Sequence, residues 1–312
     1  MRVLTATRNG KEETNRRRLL MVWVYLAAIV VASTALGQQK EDPKLKPRPV
    51  TLKTKDGIEL TAYYFPTDKG KDARTVLLVH EWQGNSGPYI KLVLALRDAG
   101  CAVLAVDYRG HGRSKHYTNA RGEKDEFNTA QMSKRDVESI INVDLEKAKG
   151  FLKEENNEGN LNLNALVVIG VGEGCVMAAR WAQRDWSFPS VGRMKQGQDV
   201  KALVFISPDK QIKGTGIDPT LTNQAILRLP IMIVAGSDSP EAAEAKRIGK
   251  RIESMKKRMG RGQASGFDFK LPDTGLSGAS LVNNVSAVIP AITKFVQSEV
   301  PVSADVNPWI ER

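Results

Sequence analysis

Leu166-Val167-Val168-Ile169-Gly170-Val171-Gly172-Glu173-Gly174-Cys175-Val176 is the stretch whose reading decides the fold. Its apolar, β-branched run reads as a strand buried on both faces. Glycines at positions 170, 172 and 174 then permit a tight reversal, and the residues to about Gln183 have helical spacing. Outward from this unit the pattern repeats. Thr75–Val79 and Ala102–Val106 are earlier buried strands, and Ala202–Ile206 and Ile231–Ala235 are later ones. Helices are predicted at Tyr89–Asp98, Asp136–Leu152, Glu241–Met259 and Leu281–Val296, with a short strand at Phe267–Leu271. Val50–Thr54 and Ile58–Phe65 flank Lys55-Asp56-Gly57 and read as a hairpin. An antiparallel start followed by alternating strands and helices predicts one α/β domain over residues 50–300. Its sheet should be mainly parallel, of about eight strands, with helices on both faces. The segment Pro208–Arg228 is too short for a large lid.

With 41% hydrophobic and 26% charged residues, the chain is neither collagenous nor wholly disordered. Two cysteines, Cys101 and Cys175, exclude a disulfide scaffold and a cysteine-based zinc site, and both read as small core residues. The three histidines, His80, His111 and His116, lack metal-ligand spacing, so neither a metal nor a cofactor is expected.

The net charge is +11, and residues 1–37 carry six Lys/Arg against two Asp/Glu, so +7 remains beyond them. Arg16-Arg17-Arg18 precede an uncharged run from Leu19 to Leu36, and Ala35-Leu36-Gly37 precede Gln38. This is the pattern of a signal peptide over 1–37, with a charged leader over 38–49 and export to a periplasmic or secreted location. An uncleaved membrane anchor is the alternative. Residues 301–312 read as a C-terminal tail.

Four stretches in this order resemble the α/β-hydrolase family across nearly all of residues 50–300, in its serine esterase and peptidase branch. They are Val76-Leu77-Leu78-Val79-His80, Asp107-Tyr108-Arg109-Gly110-His111-Gly112-Arg113-Ser114, Gly170-Val171-Gly172-Glu173-Gly174 and Pro230-Ile231-Met232-Ile233-Val234-Ala235-Gly236. The resemblance implies a nucleophile at the centre of a Gly-x-Ser-x-Gly elbow, and that centre is Gly172. It implies a histidine on the loop before the last helix, where Leu276 stands, and no histidine follows His116. The acid position after the penultimate strand is Ser239, with Asp238 one residue early as a stand-in or as a helix N-cap. On the oxyanion side Glu81 and Trp82 follow His80, and the N–H of Glu173 would be the second donor. Dienelactone hydrolases carry a Glu at the first of these positions, paired with a Cys at the elbow. His80 and His111 are expected to be structural, and Ser86, Ser207 and Asp209 to lie near the cleft mouth.

In a serine protease, loss of the serine or the histidine alone costs about 2 × 10⁶ in kcat, about 8–9 kcal/mol. The degenerate triad therefore predicts a catalytically inactive hydrolase-like protein, binding a small molecule or a protein partner at the former cleft. Two alternatives stand beside it. One is an active esterase or peptidase with a non-standard constellation. The other is a module that binds anionic surfaces through a basic helix. That helix carries Lys246, Arg247, Lys250, Arg251, Lys256, Lys257, Arg258 and Arg261, with Lys250, Arg251, Lys257 and Arg258 as the contact residues. It lacks interleaved aromatics, so nucleic acid is not specifically indicated.

Overall fold

The computed structural model describes residues 43–119, 121–191 and 195–312. Segment 1–37, expected to be a signal peptide, and residues 38–42 of the leader lie outside the described residues. Residues from Lys44 to Arg312 form one compact unit.

In chain order the elements are β1 (Arg48–Lys53), β2 (Glu59–Phe65), β3 (Arg74–Val79), α1 (Ile90–Asp98) and β4 (Cys101–Asp107). A hairpin of β5 (His116–Thr118) and β6 (Lys124–Glu126) follows, then α2 (Lys134–Ser139), α3 (Leu145–Asn157), β7 (Asn162–Val171) and α4 (Gly174–Ser187). The chain continues with β8 (Val200–Ile206), a small hairpin of β9 (Gln211–Ile212) and β10 (Thr215–Gly216), α5 (Gln224–Arg228) and β11 (Ile231–Val234). It closes with α6 (Ala242–Met259), β12 (Phe267–Lys270), α7 (Gly278–Asn284) and α8 (Val288–Glu299).

The eight-stranded sheet has the order β1-β2-β4-β3-β7-β8-β11-β12. Pairings from β4 to β12 are all parallel, and β2 is antiparallel to both β1 and β4. The expected architecture is therefore the observed one. Side chains alternate between two cores. Leu77, Leu104, Val168 and Leu203 face Leu145, Trp181 and Ile248 on one side. Val76, Val103, Val167 and Val204 face Leu92, Leu96, Ile292 and Val296 on the other.

Several elements differ from their sequence reading. The single helix expected over Asp136–Leu152 is interrupted by a π turn at Ile140–Asp144. That extra residue delivers Asp144 inward, where its carboxylate accepts from Arg109 Nε at 2.9 Å and Nη2 at 2.6 Å. The last helix is two, broken between Asn284 and Val288. The hairpin β5–β6 was not anticipated, because its residues carry almost no apolar alternation.

The C-terminal tail is docked on the domain. Asn162 and Asn164, at the start of β7, donate through Nδ2 to the carbonyls of Asn307 and Pro308 at 2.9 and 3.0 Å. Arg312 pairs with Asp199. Asp199 also meets Lys149 at 3.0 Å, and Lys149 meets Asp185 at 2.5 Å. Asp185 and Asp199 are fully buried. Burial pulls the Lys149 pKa down, but the two carboxylates outweigh it and hold the ammonium above its ordinary value. Lys149→Met leaves Asp185 without its cation, so the unfolding free energy should fall by about 3–5 kcal/mol. Urea unfolding of the variant beside the wild type measures the loss.

Candidate active site

The carboxyl ends of β3, β7, β8 and β11 converge on one rim, the usual ligand-binding edge of an open α/β sheet. At its centre β7 turns into α4. Gly172 has φ +54°, the left-handed region in which a side chain is strained. A Cβ on Gly174 would lie 2.4 Å from the carbonyl oxygens of both Val79 and His80, so only glycine lets α4 approach β3. The elbow expected from the sequence is thus present, and its centre carries no side chain.

Glu81 leans over that centre. A Cβ built on Gly172 would sit 3.0 Å from Glu81 Cβ, in the space a nucleophile would claim. The Tyr89 hydroxyl donates to Glu81 Oε2 at 2.5 Å, and burial followed by the Glu81 charge pushes the Tyr89 pKa up. Trp82, next in the chain, donates its backbone N–H to Glu173 Oε2 at 3.2 Å. The donor expected on the oxyanion side thus holds a carboxylate from the elbow itself.

Beyond β8, Ser207 adopts φ +47° and its Oγ accepts from Gly278 N at 3.0 Å, fastening the loop before α7 to the rim. Asp209 donates its backbone N–H to the Gly172 carbonyl at 3.3 Å. Burial, then the charges of Glu173, Glu241 and Glu244, raises the Asp209 pKa to about 6. The sequence had placed Ser207 and Asp209 only near the cleft mouth; the turn Ser207-Pro208-Asp209 at a strand end was the available signal. Tyr89 carries no motif that marks it in the sequence.

The histidines take no part at the rim. His80 Nδ1 lies 2.7 Å from the Glu81 carbonyl and His111 Nδ1 lies 2.9 Å from the Arg109 carbonyl. A carbonyl only accepts, so each Nδ1 carries the proton. The rings are 0% and 1% exposed, and burial lowers both pKa values to about 4, so they are neutral near pH 7. Ser86 is also structural, its Oγ donating to Asp107 Oδ1 at 2.8 Å. Cys101 and Cys175 are buried and unpaired.

Leu276 is half-buried and packs against the α1/α8 side of the sheet. Asp238 is exposed and accepts only from the Ser237 hydroxyl, at 3.1 Å. Its reading as a helix N-cap is corrected, since α6 begins after Glu241, three residues on, and no side chain caps it. Of the basic stripe, Arg247 and Arg251 pair with Asp218, Lys257 pairs with Glu253, and Lys256 is buried on backbone carbonyls. Among the described residues, no group of three or more His, Cys, Asp or Glu could hold a metal ion.

Sheet order, elbow and rim define an α/β-hydrolase fold, and comparisons with known proteins agree. A Pyrococcus furiosus esterase superposes with a TM-score of 0.58 at 15% identity, covering 85% of this chain and 95% of its own. A Pyrobaculum calidifontis esterase gives 0.55 at 13% identity, covering 82% and 86%. An α/β hydrolase from a Penicillium species gives 0.56 at 12%, covering 82% and 99%. An uncharacterized Mycobacterium tuberculosis protein is 32% identical over 84 residues, 27% of this chain and 30% of that relative's length. Residues 70–257, more than half of the chain, match the family described as serine aminopeptidase, S33.

The chain belongs to that serine aminopeptidase family. Membership corrects the expectation of an inactive binding protein, which rested on the altered triad and oxyanion positions. The family is one of hydrolases, and the rim keeps the elbow turn and gathers carboxylates around it. Of the alternatives, the family favours a hydrolase with a non-standard constellation.

Gly172→Ser tests the elbow. The left-handed φ and the 3.0 Å approach to Glu81 should lower the unfolding free energy by about 1–2 kcal/mol in urea titration. The variant should also resist fluorophosphonate labelling, because His80 and His111 are buried elsewhere. Stoichiometric labelling would show that a base reaches the elbow.

Proposed function

We propose that this protein hydrolyses acyl compounds, esters or amides, by direct attack of water, with Asp209 as the general base. The observation that carries this reading is the Asp209 position, tied by its backbone to the elbow carbonyl with its carboxyl pKa raised to about 6. A base poised there is mostly ionised at neutral pH yet basic enough to take a proton from water. Membership of a hydrolase family supports the reaction class.

In the proposed reaction a water loses a proton to Asp209 as its oxygen bonds to the acyl carbon. The carbonyl electron pair moves onto the carbonyl oxygen, which the backbone N–H of Glu173 would receive, joined by that of Trp82 once the Glu173 carboxylate swings off it. Collapse of the tetrahedral intermediate breaks the bond to the leaving group, which takes the proton back from Asp209. The products are a carboxylic acid and an alcohol or amine. The charges of Glu173, Glu241 and Glu244 around Asp209 favour a substrate with a cationic amino group near the scissile bond.

Aminoacyl 4-nitroanilides and 4-nitrophenyl esters are the assay substrates. Asp209 must be ionised to act, so kcat/KM should rise with pH through about 6 and level above it. Asp209→Asn should lower kcat by about 10²–10⁴ and remove that inflection. An Asn variant with full activity and the same pH profile would refute the assignment.

A further inference from the structure

The outer face of α6 carries more charge than the fold uses. Ala245, Ile248 and Ile252 bury its inner face. Three of its later cations are spent locally, Arg251 on Asp218, Lys257 on Glu253 and Lys256 on backbone carbonyls. Lys250, Arg258 and Arg261 are exposed, and so is Arg228 at the end of α5. No carboxylate among the described residues pairs with any of these four. A helix dipole favours cations in the last turn, but Lys250 precedes that turn, Arg261 follows it and Arg228 lies on another element. Met259, at the end of α6, is 41% exposed. It lines a hollow of about 450 Å³ with Leu227, Arg228 and Gln263, between the ends of α5 and α6. Just past it the chain reverses at Arg261, φ +51°, and Gly262 donates its N–H to the Lys257 carbonyl at 2.8 Å.

The place of this patch in the fold bears on what meets it. α1 and α6 each run back between two parallel strands, so both end at the pole of the strands' amino ends, opposite the rim. The described chain enters at the same pole, where Arg97 of α1 donates from Nη2 to the Leu45 carbonyl at 2.9 Å. The uncharged run Leu19–Leu36 precedes that entry in the sequence. We infer that the outer face and end of α6, with Arg228, dock on an anionic phospholipid surface. Met259 enters the interface, and Arg228, Lys250, Arg258 and Arg261 meet the lipid phosphates. An exposed apolar side chain with unpaired cations around it suits that occupant. The patch offers no exposed aromatic on which a nucleic-acid base could stack. The rim then points away from the lipid, open to soluble substrate. Docking of this kind does not depend on the hydrolytic reading.

Cys101 and Cys175 are buried, so the full chain carrying Met259→Cys takes a polarity-sensitive thiol dye at the end of α6 alone. The dye reads this patch even where the apolar run at the chain's start binds lipid by itself. Its emission should shift to the blue on vesicles of phosphatidylglycerol and phosphatidylcholine in equal parts. Pure phosphatidylcholine should give no shift, and high salt should reverse the one on anionic vesicles. Adding Lys250→Gln, Arg258→Gln and Arg261→Gln should weaken docking about a hundredfold, about fivefold for each cation removed. Glu253→Gln, which frees Lys257, should strengthen it. A dye that responds equally to neutral and anionic vesicles overturns the proposal, as does one that responds to neither. A shift with single-stranded RNA and none with anionic vesicles would assign the face to nucleic acid and overturn it as well.

Discussion

The close approach of α4 to the end of β3 is the constraint on which the rest depends. Side chains at Gly170 and Gly174 would collide with backbone, the first with Cys175 and the second with the Val79 and His80 carbonyls. Because neither has one, the helix start sits directly against the loop carrying Glu81 and Trp82. That single packing decision brings a helix N-terminus, a free strand end and several carboxylates together. It also sets the Gly172 carbonyl where the Asp209 amide can reach it.

The electrostatics of the rim follow from what is buried beside it. His80 and His111 spend their Nδ1 protons on backbone carbonyls; His80 is stacked on Tyr108 at 4.3 Å between ring centroids, and His111 lies tilted against the same ring at 4.4 Å. They hold the loops that shape the site. A cluster of like charges must then keep at least one member easily protonated, and Asp209 has the raised pKa. The raised Asp209 pKa thus comes first from burial and then from the neighbouring carboxylates.

Much of this was legible in the sequence. Continuous β-branched runs announced β3, β4, β7, β8 and β11, because strands buried on both faces need apolar residues at every position. Gly170, Gly172 and Gly174 announced the turn from β7 into α4. The rest had no periodic signature. A π turn changes the helical period by one residue, so Asp136–Leu152 still scores as one helix while Asp144 swings inward to Arg109. The tail looked featureless because its anchors are asparagine amides bonded to distant carbonyls, which leave no pattern in either partner. The inference of inactivity failed on another count. It equated one set of side chains with the chemistry, while Glu81, Tyr89, Glu173 and Asp209 are brought together only by the folded rim.

The docked tail has a consequence for how such a chain tolerates change. It grips β7 at the strand's amino end through Asn162 and Asn164, while the carboxyl end of the same strand carries the elbow. Cohesion and chemistry are therefore stored at opposite poles of one strand. Polar residues at the rim can be exchanged without drawing on the contacts that keep the sheet intact, and the anchoring pole can be reinforced without reshaping the cleft. A scaffold partitioned in this way is well suited to directed evolution of new hydrolytic specificities.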